Sequence, residues 1–108
     1  MSNYFLKYSM VILAFLLLFN AKAQDAKSLF LTANTYYKNK QYDEAEKLYL
    51  LVLKKDGKNA NALYNLGNTY FHLKQFPYAV WYYEKALKLN PDSKFLKHNI
   101  EETNNKLF

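Results

Sequence analysis

The chain has 108 residues with 15 lysines, no arginine, nine acidic residues, two histidines and no cysteine, for a formal charge of +6. That length holds one small domain at most, and the missing cysteines exclude a lipoprotein anchor, a disulfide framework and thiolate metal sites. The lysines are scattered rather than gathered on one stripe. Without arginine for bidentate base contacts they read as solvated helix faces, not as a nucleic-acid surface.

Residues 1–23 read as a targeting segment. Met1–Ser9 holds one positive charge, Lys7, and Met10–Phe19 is an unbroken apolar run. Ala21-Lys22-Ala23 then supplies the small–x–small step that signal peptidase accepts, leaving Gln24 as the new N-terminus. A helix is expected from Asn3 to Ala21. The apolar run is short of the about 20 residues a bilayer span needs. A helix starting at Tyr4 lengthens it, so an uncleaved anchor, membrane-associated through residues 4–20, is the alternative to cleavage. Both alternatives export the rest of the chain, to the periplasm or tethered facing it. Without Lys7 and Lys22, 13 lysines face nine acids, or +4.

After residue 23, apolar residues recur at three- and four-residue steps, as amphipathic helices require. Helices are expected over Asp25–Asn39, Tyr42–Lys55, Asn59–Leu73, Phe76–Leu89 and Asp92–Lys106. Lys40-Gln41 and Lys74-Gln75 mark tight turns that return the next helix antiparallel. Lys54, Lys55, Asp56 and Gly57 read as a helix end, with positive charge at the negative pole of the dipole and a glycine free to turn left-handed. Asn59 suits an N-cap, as does Asp92 or Ser93 after Pro91.

Residues 26–59 laid over 60–93 without a gap align Ala26/Ala60, Leu29/Leu63, Asn34/Asn68, Thr35/Thr69, Tyr36/Tyr70, Lys40/Lys74, Gln41/Gln75, Ala45/Ala79, Tyr49/Tyr83, Leu53/Leu87 and Lys54/Lys88, eleven identities in 34. A period of 34 residues marks stacked helix–turn–helix units. Gly67, Ala33, Ala45 and Ala79 let paired helices approach, and Tyr36, Tyr70, Tyr49 and Tyr83 are large knobs that fill the space between them.

The second copy reads Leu63-x-x-Leu66-Gly67-x-x-Tyr70, then Phe76, Ala79, Tyr83, Ala86 and Pro91. It resembles the tetratricopeptide repeat (TPR), with Leu63 in place of the usual Trp. The first copy is looser: Thr32 stands where Leu is usual and Gly57 where Pro is usual. The resemblance implies an all-α TPR solenoid over residues 24–108, with repeats 26–59 and 60–93 and a capping helix at 92–107. Residues 64–107 are also similar to the TPR part of the Bacteroides aerotolerance-operon (BatE-like) membrane proteins, which carry a signal segment, two TPRs and a capping "KHN(L/I)E" helix. Downstream they carry a membrane segment and an SH3-like domain.

By the TPR resemblance, the first helices of successive hairpins line a concave groove for a partner peptide. Lys27, Phe30, Asn34 and Tyr37 would come from the first repeat, Asn61, Tyr64, Asn68 and Phe71 from the second, and Phe95, His98 and Glu102 from the last helix. Steps of three and four keep each set on one helix face. Asn34 and Asn68 would hold a peptide backbone through their amides. A carboxylate clamp, another TPR use, fits poorly: Asn34 and Asn65 could supply amides, but Phe30 stands where its first Lys is expected, and Lys94 and Lys97 come without an Arg. Tyr78, Trp81 and Tyr82 form a second candidate surface, one turn apart on one helix. Such an aromatic cluster suits a second copy of the chain, a neighbouring domain or a membrane surface.

Convergent catalytic groups are missing. His72 and His98 lie on different helices without metal-binding spacing. After residue 23 the serines are Ser28 and Ser93, both better suited to helix starts than to nucleophiles. Asp43, Glu44 and Glu46 sit at a helix N-terminus, where the dipole favours them. Gly57 and Gly67 make no phosphate loop. The expectation is a non-catalytic protein–protein adaptor of the bacterial cell envelope, with no cofactor and no metal, within an aerotolerance-type membrane complex. The alternative is a self-associating structural unit, a homo-oligomer built through the aromatic patch, since two repeats and a cap are few for a solenoid.

Overall fold

A computed structural model of the chain describes residues 2–22 and 24–107. The proposed cleavage step ends at Ala23, outside the described residues. Among the described residues six helices follow in order: α1 (Ser2–Lys22), α2 (Ala26–Lys38), α3 (Tyr42–Lys55), α4 (Ala60–His72), α5 (Phe76–Leu89) and α6 (Lys94–Asn105). Among the described residues there is no strand. α1 covers the expected N-terminal stretch, and its rings and aliphatic side chains from Tyr4 to Phe15 are exposed. Among the described residues no helix is long and apolar enough to cross a membrane.

The ends of α3 and α5 fall where expected. Those of α2, α4 and α6 are drawn in by one or two residues, because the outermost expected residues are caps. Asp25 Oδ1 accepts from the Ser28 amide at 2.8 Å, and Asn59 Oδ1 from the Ala62 amide at 3.0 Å. Of the two candidates before α6, Ser93 is the cap, its Oγ accepting from the Leu96 amide at 3.3 Å. These bonds satisfy amides that the first helical turn leaves without partners. α3 and α5 begin on Gln41 and Gln75 without a side-chain cap. α3 instead places Asp43 and Glu44 in its first turn, and α5 places Pro77 there.

The left-handed turn expected at Gly57 is not there. No glycine has positive φ; Lys40 (φ 60°) and Lys74 (φ 59°) do. Both lysines occupy the same place in a Schellman closure. The Lys40 amide donates to the Tyr37 carbonyl and the Gln41 amide to that of Tyr36, at 3.0 and 2.9 Å. Lys74 and Gln75 repeat this on Phe71 and Tyr70 at 3.0 and 2.9 Å. The turn inside each hairpin is so short that two recovered carbonyl bonds outweigh the left-handed strain. The longer link after α3 has room to turn without it.

α2 packs against α3 and α4 against α5, while α3 against α4 and α5 against α6 join the hairpins. The main core runs through Ala33, Ala45, Tyr49, Leu63, Leu66, Tyr70, Ala79, Tyr83, Ala86 and Leu96, with a smaller cluster of Leu29, Val52 and Ala62 at the α2–α3–α4 corner. Fully burying a residue such as Leu66 or Val52 contributes about 1.5–3 kcal/mol. Each hairpin is latched identically across the 15-residue separation of its partners: Tyr49 Oη donates to Asn34 Oδ1, and Tyr83 Oη to Asn68 Oδ1, both at 2.5 Å.

Candidate functional site

α2, α4 and α6 are the helices that the 34-residue period brings to one side. Two hollows open there, and Tyr37 borders both. The first, of about 320 Å³, is lined by Tyr37 of α2, Tyr64, Asn68, Phe71 and His72 of α4, Tyr83 of α5, and Asn99, Glu102 and Thr103 of α6. The second, of about 480 Å³, lies between α2 and α4 and is lined by Leu31, Asn34, Thr35, Tyr37, Lys38 and Asn65. The linings combine aromatic rings with side-chain amides, which suits an extended polypeptide: rings offer flat apolar area and amides can bond its backbone.

Six of the expected groove residues gather here: Asn34, Tyr37, Tyr64, Asn68, Phe71 and Glu102. Lys27, Phe30, Asn61, Phe95 and His98 line neither hollow. Lys27 and Asn61 are exposed at the start of their helices. The Phe30 ring turns inward to Tyr49, with centroids 6.0 Å apart. Phe95 meets the Tyr64 ring edge-on at 5.1 Å, and His98 Nε2 stands 3.8 Å from Glu102 Oε2.

The two asparagines are only half available. The Oδ1 of Asn34 accepts from both Tyr49 Oη and Asn65 Nδ2, the latter at 3.1 Å. With their acceptors engaged, Asn34 and Asn68 offer a ligand their amide N–H donors, which match the carbonyls of a peptide backbone. Burial raises the phenols of Tyr37 and Tyr83 above their ordinary value, with neighbouring tyrosines adding to the shift. Burial likewise pushes Tyr49 up to about 12. All three stay neutral at physiological pH.

Asn99, Thr103 and His72 were not expected in the groove. Asn99 and Thr103 repeat Asn65 and Thr69 one period later, and Thr69 and Thr103 each donate to the carbonyl four residues back, of Asn65 and Asn99, at 2.7 and 2.6 Å. Extending the 34-residue register into the last helix finds both. His72 has no such signal. Its ring stacks on Tyr42 at 4.7 Å and meets Tyr37 at 5.7 Å, joining the two hairpins at the groove floor. Among the described residues no cluster of three or more His, Asp or Glu side chains is placed to hold a metal ion.

The aromatic patch lies on α5. Tyr78 and Trp81 are 58% and 57% exposed. Tyr82 is half-buried, its ring stacked on Tyr70 at 5.5 Å, and Tyr70 Oη donates to Glu46 Oε1 of α3 at 3.0 Å. Lys85 Nζ stands 5.1 Å from the Trp81 ring and 5.8 Å from that of Tyr82.

A family pattern described as "Tetratricopeptide repeat" matches residues 60–93, and one described as "TPR repeat" matches residues 33–74. Among solved structures, the chain is similar to the second TPR of Spaghetti (RPAP3), bound to the HSP90 peptide SRMEEVD. That match has a TM-score of 0.73 and 21% identity, over 81% of this chain and 81% of that one. It is also similar to the second TPR domain of human RPAP3 in complex with the HSP70 peptide SGPTIEEVD, with a TM-score of 0.70 and 24% identity over 76% of this chain and 68% of that one. At these identities the likeness shows the fold. A C-terminal TPR-containing domain from Plasmodium falciparum is 33% identical with a TM-score of 0.68, covering 76% of this chain and 54% of that one. No curated protein matches the chain.

Proposed function

The chain carries tetratricopeptide repeats, and on that premise we propose that it is a non-catalytic adaptor that holds a partner polypeptide along the groove of α2, α4 and α6. One observation carries the proposal: rings and amide donors from three helices converge on two adjoining hollows. Peptide binding by the RPAP3 domains supports a peptide as the kind of ligand. Their acidic EEVD endings do not transfer. Phe30 replaces the clamp lysine and packs on Tyr49, and Glu102 adds a negative charge to the hollow.

A display library of short peptides tests this reading. Peptides selected on the wild-type chain should lose binding to Phe71→Ala and Asn99→Ala variants that keep full helicity. Selected peptides that bind both variants as well as wild type would place the ligand elsewhere.

The adaptor is proposed to act in the bacterial cell envelope, exported through residues 1–23 and working in an aerotolerance-type membrane complex. The apolar run before Ala21-Lys22-Ala23 supports export, and the resemblance read in residues 64–107 is the ground for the complex. N-terminal sequencing after cell fractionation should find a periplasmic or membrane-bound protein, starting at Gln24 if cleaved. Unprocessed protein in the cytoplasmic fraction rejects it.

The exposure of Tyr78 and Trp81 favours a second reading, self-association through the α5 patch. Sedimentation should then show an oligomer that Trp81→Ala dissociates; a monomer in both cases rejects it.

A further inference from the structure

Glu102 breaks the groove's own pattern. Where the two repeats carry Asn34 and Asn68, the last helix carries a carboxylate. It shares the 320 Å³ hollow with the rings of Tyr37, Tyr64 and Phe71. Among the described residues no lysine lines that hollow, and Glu102 is its one carboxylate. Ring faces are the negative side of an aromatic quadrupole, so rings grouped around a carboxylate attract a cation twice over. The chain's own groups already respond. Lys106 Nζ stands 5.7 Å from the Phe71 centroid, and His98 Nε2 3.8 Å from Glu102 Oε2. Both residues are exposed, so an incoming group can displace them.

We propose that the α6 end of the groove takes a lysine or arginine side chain of an extended partner peptide, its cation against Glu102 and over the faces of Phe71 and Tyr64. The proposal rests on the groove reading above and adds the ligand's charge. A peptide rich in acids would meet repulsion from Glu102 in the same place, so the repeats here select the opposite sign to the EEVD peptides of the RPAP3 domains.

The test probes a peptide array with the full chain and resynthesises one bound peptide with its basic residue changed to neutral citrulline or norleucine. Bound peptides should share a lysine or arginine at one position. Neutralising it should weaken binding to wild type by roughly tenfold. Glu102→Gln should weaken the parent peptide to a similar extent and be nearly indifferent to the replacement. Lys106→Gln, which removes the internal competitor, should bind the parent peptide more tightly. If Phe71→Ala abolishes binding while Glu102→Gln leaves it unchanged, the groove reading stands and the cation assignment falls. If neither variant changes binding, or no peptide binds, the groove reading falls and takes the assignment with it. Spermidine is the control for a free polycation: should it bind the hollow as tightly as the peptide does, the assignment to a peptide side chain is overturned.

Discussion

Gly67 has no room for a methyl group. A Cβ built there would lie 2.6 Å from Tyr83 Cδ1 and 2.7 Å from Cε1. The ring cannot swing aside cheaply, because it is buried and its hydroxyl is tied to Asn68. Gly67→Ala should therefore destabilise the chain by about 1–3 kcal/mol, read as a lower urea midpoint. An unchanged midpoint would mean that the ring is free to move. The turn lysines should behave oppositely. Lys40 and Lys74 hold φ of 60° and 59°, which glycine adopts without strain. Lys74→Gly should stabilise by about 0.5–1 kcal/mol after the added freedom of the unfolded chain is counted, visible as a higher melting temperature. The latch tyrosines set the alkaline limit. Tyr49, ordinarily near 10, is pushed up to about 12 by burial, so the folded state holds its proton more tightly than the unfolded state does. That stability is full below pH 10 and is lost as pH rises toward 12. Tyr83 and Tyr70 shift in the same direction. Chemical denaturation across this range should show stability falling, with a shallower slope in Tyr49→Phe.

At the scale of the helix, periodicity and punctuation located every element after residue 23, and the errors have local causes. Asp25, Asn59 and Ser93 look helical in a pattern because they adjoin one, yet their side chains close the helix from outside. Gly57 was the residue most free to turn left-handed, but conformational freedom does not decide where such a turn is needed; the shortness of the α2–α3 and α4–α5 links does. The groove face was an expectation of the TPR resemblance, and the structure brings six of its eleven residues to the two hollows. That Asn34 and Asn68 spend their acceptors on Tyr49 and Tyr83 was not legible in the sequence, because those partners arrive across the hairpin. Helix starts also differ in what a substitution costs. Asn59→Ala removes the Ala62 cap at the junction of the two hairpins and should cost about 1 kcal/mol. Gln41→Ala removes no side-chain cap and should leave thermal stability nearly unchanged. Equal losses would show that the cap contributes little.

Across the whole molecule, rings that pack the core, such as Tyr37, Tyr64, Phe71 and Tyr83, also line the proposed groove. The second hairpin is covered on both sides, by α3 and by α6, and Tyr70 is tied back to Glu46 of the first hairpin. The first hairpin's matching ring, Tyr36, instead borders an open hollow of about 260 Å³ with Thr32, Glu44, Lys47 and Leu48. So short a stack has little stability to spare, and a ligand bridging α2, α4 and α6 should stabilise it by mass action. Hydrogen exchange of the full chain with and without a selected peptide measures this directly. Added protection should appear in the amides of α2, α4 and α6, around Tyr37, Asn68 and Asn99, with less change on the outer face of α5 at Tyr78 and Trp81. Protection centred on α5, with the three groove helices unchanged, would contradict the groove as the place where this chain holds its partner.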